Sequence, residues 1–395
     1  MAPTVLPAAR SGERRQLQES RMQALSATAS GQPASVPQQG RIDWVDYAKG
    51  ICILLVVMMH STLGVEKAAG ATGWLGYVVE FSRPFRMPDF FLISGLFLGL
   101  VIDRPWLRYL DRKVVHFLYF YVLWLTIQFA FKAPGWLAEG MSPAGLAGQY
   151  FLSFVEPFGT LWFIYMLPVF FIVTRLTKGL PWWSVLGAAA LLEILPVHTG
   201  WLMIDEFAAR YVYFLAGYLF AGHIFSLANW VRENSRTALG LLFAWALVNA
   251  LIVFAPVTAE AQDMLGISSY SQLPFVSLTL GGMGALAIIC GSVLLSNFSW
   301  TGFLEYLGRN SIVVYLAFFL PMAVSRAILL KFAPFLDIGT VSALVMAAAA
   351  TGPVILYWMI QWTGQGRFLF HRPAWAWIDR PSAPVATKAR LHPAE

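Results

Sequence analysis

The sequence predicts an all-α polytopic integral membrane protein, with about ten transmembrane helices and both termini in the cytoplasm. Three observations carry that reading. Of the 395 residues, 58% are hydrophobic and 12% charged, and the mean hydropathy is +0.63. A soluble domain carries about 25% charged residues, so the chain has too little charge to coat a globule in water. The apolar stretches are continuous and about 16–25 residues long, which suits helices crossing a hydrocarbon core of about 30 Å; a membrane barrel would alternate in segments of roughly 10. The basic residues also crowd into alternate loops, as cytoplasmic loops do.

The elements follow in order. Residues 1–40, rich in Ala, Ser, Gln, Pro and Arg and without periodicity, read as a disordered cytoplasmic tail. No apolar run precedes residue 41, so a cleavable signal peptide is not expected. Residues 41–365 read as the transmembrane domain, with spans near 44–64, 86–102, 113–131, 158–177, 182–198, 208–227, 237–256, 275–295, 309–330 and 339–362. The second and fifth are short. The aromatic, amphipathic stretch 72–84 suits either the membrane interface or an extension of the second span. Residues 366–395 read as a cytoplasmic tail.

An even number of spans puts both termini on one side. Arg10, Arg14, Arg15, Arg21 and Arg41 precede the first span, and Arg104, Arg108, Arg112 and Lys113 fill the second loop. Arg175, Lys178, Arg232, Arg236 and Arg309 fall in later loops of that side, and Arg367, Arg372, Arg380, Lys388 and Arg390 follow the last span. The opposite loops hold Glu139, Glu156, Asp205, Glu206, Glu260 and Asp263. This bias explains the pI near 9.3 without nucleic acid, for which no motif is present. Cys52 and Cys290 lie in separate apolar runs, so neither a disulfide framework nor a metal site is expected.

Polar groups inside hydrocarbon mark function by default. In the first span Lys49 and His60 are eleven residues apart. At 100° per residue they share a helix face, about 16 Å apart along the axis, with Asp46 on the same stripe. Lys49 also fits a snorkelling anchor. Before the third span, Arg108, Arg112 and His116 fall four residues apart, with Lys113 beside them. Two guanidiniums on one stripe suit a phosphate or pyrophosphate, or equally the lipid headgroups. The run Glu80-Phe-Ser-Arg83-Pro-Phe-Arg86-Met-Pro-Asp89 places two prolines and four charges at the outward end of the second span, level with His60. Prolines at this depth survive where backbone lines a cavity, so Glu80, Arg83, Arg86 and Asp89 suggest a sugar or hydroxyl-acceptor site, or a set of internal ion pairs. Glu156, Trp162, Glu193, His223 and the Gly308-Arg309-Asn310-Ser311…Tyr315 opening of the ninth span are weaker candidates.

Taken together, these segments resemble the membrane-bound acyltransferase 3 family, in particular its fucose 4-O-acetylase-like and surface-glycan O-acetyltransferase members. The likeness rests on Asp46-Tyr-Ala-Lys49-Gly50-Ile51…His60, Met87-Pro-Asp-Phe90-Phe91-Leu-Ile-Ser94-Gly95, Arg108-x-x-x-Arg112-Lys113, Leu161-Trp162-Phe163 and Leu307-Gly308-x-x-Ser311…Tyr315-Leu316, within residues 41–362. Lys49 stands where many members have Arg, Arg86 where acetylase-like members often have His, and Phe318 where a His often follows Tyr-Leu. The resemblance implies transfer of an acyl group, usually acetyl, from cytoplasmic acyl-CoA to a hydroxyl of an extracytoplasmic or lipid-linked glycan, in a bacterial inner membrane. It implies catalysis at His60 with Lys49 and Asp46, CoA phosphates on Arg108, Arg112 and Lys113, and the acceptor near Glu80, Arg83, Arg86, Asp89 and Trp162. No permanently bound cofactor is implied. A transporter or glycan-lipid flippase would use the same buried charges without transferring anything.

Overall fold

The computed structural model describes residues 42–379. The tail expected over 1–40 and the stretch 380–395 lie outside the described residues. Among the described residues the regular structure is helical, with no strand. In chain order the helices are α1 (Asp43–Ala69), α2 (Trp74–Ser82), α3 (Arg86–Gly95), α4 (Trp106–Ala138), α5 (Pro143–Leu152), α6 (Trp162–Thr177), α7 (Trp182–Ile194) and α8 (Leu202–Leu219). There follow α9 (Ala221–Glu233), α10 (Ser235–Phe254), α11 (Ala259–Leu265), α12 (Val276–Leu295), α13 (Gly302–Arg309), α14 (Ser311–Ala317), α15 (Phe319–Phe332) and α16 (Ile338–Thr363).

Each of the ten expected apolar stretches falls on helix, but the tally of spans differs. Six helices are long and apolar enough to cross singly, and eight spans result if the bent pairs α8–α9 and α14–α15 each count as one. The second and fifth stretches form helices of 10 and 13 residues, α3 and α7, short of the roughly 20 that a bilayer core needs. The break between α14 and α15, a 55° bend, has a local cause. Pro321 has no N–H to offer the carbonyl of Ala317, the last residue of α14, and its ring crowds that carbonyl. Pro88 is harmless by contrast. It sits in the first turn of α3, where backbone N–H groups have no partner within the helix.

Burial separates an inner helix from outer ones. The apolar window of α1 is 56% buried, whereas that of α10 is 17% buried and leaves Leu241, Phe243, Leu247 and Leu251 on the surface. An all-round apolar helix with an open surface is what lipid requires. Small residues let the inner helices approach closely. A Cβ at Gly308 of α13 would overlap the Asp46 carbonyl on α1, and one at Gly50 would overlap that of Leu304. Gly95 of α3 and Gly217 of α8 make the same kind of contact with Phe214 and Leu92. The aromatic stretch 72–84 forms α2, whose Leu75 and Val79 pack on Met58 of α1, with Ala343 and Met346 of α16 against the cluster.

The expected C-terminal tail begins with a packed segment. Gly364 and Gly366, at φ of +72° and +75°, turn the chain back after α16. Residues 366–379 then lie on α4: Tyr119 Oη donates to the Phe368 carbonyl (3.0 Å), Trp124 Nε1 to that of Leu369 (3.0 Å), and Phe370 is buried. Aromatic residues in this stretch supply the apolar surface that a solvated tail lacks.

Candidate functional site

Two cavities lie side by side along α1. One, of about 200 Å³, is lined by His60 of α1, Arg86 of α3, Trp162 of α6, and Glu206 and Arg210 of α8. The other, of about 170 Å³, is lined by Lys49 of α1, Ser94 of α3, Phe117 of α4 and Ser311 of α14. Phe90, Phe163 and Tyr315 line both spaces and therefore form the wall between them. The Phe90 and Phe163 rings stack at 4.4 Å between centroids, and Tyr315 meets Phe163 edge-on at 5.6 Å. Tyr315 Oη donates to the Thr160 carbonyl at 2.6 Å, which fixes the tyrosine against the loop leading into α6. Gly159 gives that loop its left-handed turn, at φ +58°.

The predicted stripe on α1 thus opens onto two spaces in turn. Lys49 and His60, about 16 Å apart along the helix, face different cavities, so they do not form one cluster. Asp46 is buried and lies still farther from His60. It holds Lys49 Nζ at 3.5 Å and Arg309 Nε at 3.8 Å, an arrangement that depends on the close approach of α13 through Gly308. His60 packs its ring on Phe318, at 5.5 Å between centroids, at the break between α14 and α15.

The acceptor set divides. Arg86 and Trp162 line the His60 cavity. Glu80 and Arg83 instead pair with each other at 3.1 Å, both largely exposed. Asp89 is fully buried, but its partner is not Arg86: Cys52 Sγ donates to Asp89 Oδ2 at 2.8 Å, a bond between α1 and α3. Arg86 Nη1 makes only long bonds, to the Val79 carbonyl at 3.3 Å and Ser82 Oγ at 3.4 Å.

The basic cluster before the third span differs from the expected stripe. Residues Asp111–Val115 form a π-turn inside α4, so Arg108, Arg112 and His116 do not follow a uniform α-helical spacing. Asp111, fully buried, anchors this turn. Arg372 Nη2 donates to its Oδ2 (2.8 Å), Arg372 Nη1 to its carbonyl (2.8 Å), and the Ile378 N–H to its Oδ1 (2.9 Å). Arg108 Nε pairs with Asp379 at 3.0 Å. The Arg112 and Arg372 guanidiniums each lie 4.1 Å from the Trp377 ring centroid. Lys113 sits over Phe171, which stacks on Phe117, a lining residue of the Lys49 cavity. His116 packs against Phe117 and Phe120. Among the described residues, no group of His, Cys, Asp and Glu could hold a metal ion.

A family model described as an acyltransferase domain, of the acyltransferase 3 type, matches residues 42–360. The chain belongs to the acyltransferase 3 family. It is 27% identical over 160 residues to the inner membrane protein YcfT of Escherichia coli K12, covering 35% of this chain and 44% of the relative. It is 27% identical over 206 residues to the nodulation protein NolL of Sinorhizobium fredii, covering 51% and 54%. The match to NolL of Mesorhizobium japonicum is 24% over 180 residues, covering 45% and 47%. The chain therefore spans about half the length of the curated relatives it matches. No solved structure matches it.

Several residues of the acyltransferase 3 resemblance acquire a physical role here. Gly50, Gly95 and Gly308 are crossing points of helices, and Phe90, Phe163 and Tyr315 form the shared wall. Glu206 and Arg210 pair at 3.1 Å on α8 and line the cavity; the loop-charge reading assigned Glu206 to topology alone and did not single out Arg210. Their spacing of four at the head of a span was the available signal. Arg372 carried no local signal at all, because its partner is 261 positions away.

Proposed function

We propose that the protein transfers an acyl group, usually acetyl, from acyl-CoA to a hydroxyl of an extracytoplasmic or lipid-linked glycan. The observation that carries this reading is the pair of cavities on one face of α1, adjoining across a wall of Phe90, Phe163 and Tyr315 that the thioester must pass to meet His60. Donor phosphates meet Arg108, Arg112 and Lys113, of which Lys113 lies over Phe171, the ring that stacks on Phe117 of the Lys49 cavity. The thioester arm lies in that cavity along Lys49 and Ser311, and the acceptor enters the cavity of His60, Arg86 and Trp162. Family membership and the likeness to YcfT, an inner membrane protein, support placement in a bacterial inner membrane, with the basic side facing the cytoplasm.

The chemistry is acyl transfer between sulfur and oxygen. Neutral His60 accepts the proton of the acceptor hydroxyl as its oxygen attacks the thioester carbonyl. The new C–O bond forms, the C–S bond breaks, and the proton passes to the departing thiolate, leaving free CoA. Lys49, held by Asp46, contributes positive charge on the donor side. The test is purified protein with radiolabelled acetyl-CoA and a glycan fraction from its host membrane. Label moves to glycan with wild type and not with His60→Ala. Label retained on CoA with wild type, or full transfer by a folded His60→Ala protein, would overturn the reading and favour transport.

A further inference from the structure

Among the described residues, Arg86 is a cation without a counter-ion. It is buried, 9% exposed, and lines the His60 cavity. Its Nε has no hydrogen-bond partner, and Nη1 is held only by the two long bonds to Val79 and Ser82. The carboxylates around it point to other partners: Glu80 pairs with Arg83, Glu206 with Arg210, and Asp89 Oδ2 takes the Cys52 thiol while its Oδ1 is left without a hydrogen bond and forms no ion pair with Arg86. The cavity lining therefore presents two guanidiniums, Arg86 and Arg210, against the single carboxylate of Glu206. A buried guanidinium left in this state is costly unless a ligand completes it.

We propose that the acceptor is an acidic sugar, whose carboxylate or phosphate is bound by Arg86 beside the hydroxyl presented to His60. This rests on the acyl-transfer reading above. A planar guanidinium with a free Nε edge suits two-point contact with either anion, because each presents at least two negatively charged oxygens on one centre. Trp162 in the same lining offers a ring face to the sugar. Arg86 then acts as a specificity residue: it selects the acceptor and sets which hydroxyl stands at the imidazole.

The test compares matched probes on the purified full chain: methyl glucuronide, methyl glucose 6-phosphate and methyl glucoside. Binding is read by ligand-observed NMR without donor, and transfer by acetyl-CoA turnover. Wild type should bind the acidic probes roughly 30-fold or more tightly than the neutral one, the range for a buried charge pair. Preference for the glucuronide or for the phosphate identifies the anion. Arg86→Gln should bring the acidic-to-neutral ratio near one, and Arg86→Lys should keep part of it. Equal binding of acidic and neutral probes by wild type would overturn the proposal. So would an Arg86→Gln protein that loses turnover on all probes with the ratio intact, because Arg86 would then stabilise the reacting carbonyl oxygen instead. Because binding is measured without donor, an acidic preference that persists without any acyl transfer sinks the enzyme reading and leaves the anion site standing.

Discussion

Removing Arg372 should disable the donor side of the protein from a position outside both cavities. The Asp111 and Arg372 side chains are 0% and 1% exposed, and Arg372 supplies one of the two hydrogen bonds to the Asp111 carboxylate and a further one to its carbonyl. Breaking a buried pair by deleting one partner costs about 3–5 kcal/mol. The carboxylate keeps the Ile378 N–H and has Arg112 Nε at 3.7 Å, so Arg372→Met belongs at the lower end, about 3 kcal/mol. Asp111→Asn removes the charge that needs compensating while Oδ1 still accepts from Ile378. The double variant should therefore recover much of the loss, with coupling of about 2 kcal/mol. Stability would be read by SDS titration in mixed micelles, and donor affinity by acetyl-CoA concentration dependence. Arg372→Met should raise the KM for acetyl-CoA, because residues 366–379 position Asp379 against Arg108 and Trp377 against Arg112. Additive effects of the two substitutions, or an unchanged donor KM in the destabilised variant, would refute this reasoning.

Three further outcomes are expected. His60→Ala should lower turnover by roughly 10²- to 10⁴-fold, the usual worth of general acid–base help, with acetyl-CoA binding near wild type by equilibrium dialysis. Phe163→Ala should merge the two cavities, so the hexanoyl-to-acetyl rate ratio rises about tenfold or more, with Phe163→Leu intermediate; an unchanged ratio would mean the wall does not limit the acyl chain. Gly308→Ala should destabilise by about 1–3 kcal/mol, since its Cβ would overlap the Asp46 carbonyl and push α13 from α1; the SDS titration checks this.

What the sequence made legible follows from the range of the interactions involved. The all-helical membrane fold is a property of one helix at a time, set by composition and a 100° repeat, and it appears as expected. The span tally differs from ten where a local feature cuts or shortens an apolar run. Pro321 breaks one run that hydropathy reads as continuous, and α3 stops at Gly95 after ten residues. The division of the acceptor residues was not legible either. Charges three apart suggested Arg86 with Asp89, but the facing helix offers Asp89 the Cys52 thiol, and Arg86 turns to a cavity built from α1, α3, α6, α8 and α14.

That rearrangement bears on how the two ends of α1 differ. Near Lys49 the cations are compensated inside the protein: Asp46 holds Lys49 and Arg309, Asp379 holds Arg108, and Asp111 holds Arg372. Such pairs fix positions, and a phosphate approaching them competes with carboxylates already in place. Near His60 the balance is reversed, because Arg86 has no carboxylate partner among the described residues and the surroundings are buried. In a low-dielectric space an uncompensated charge acts more strongly on what enters than a compensated one does. Selectivity therefore belongs more to the His60 end than to the Lys49 end. On the proposed reading, a donor common to many enzymes needs little discrimination from its site, whereas the acceptor must be told apart from every other hydroxyl at the membrane.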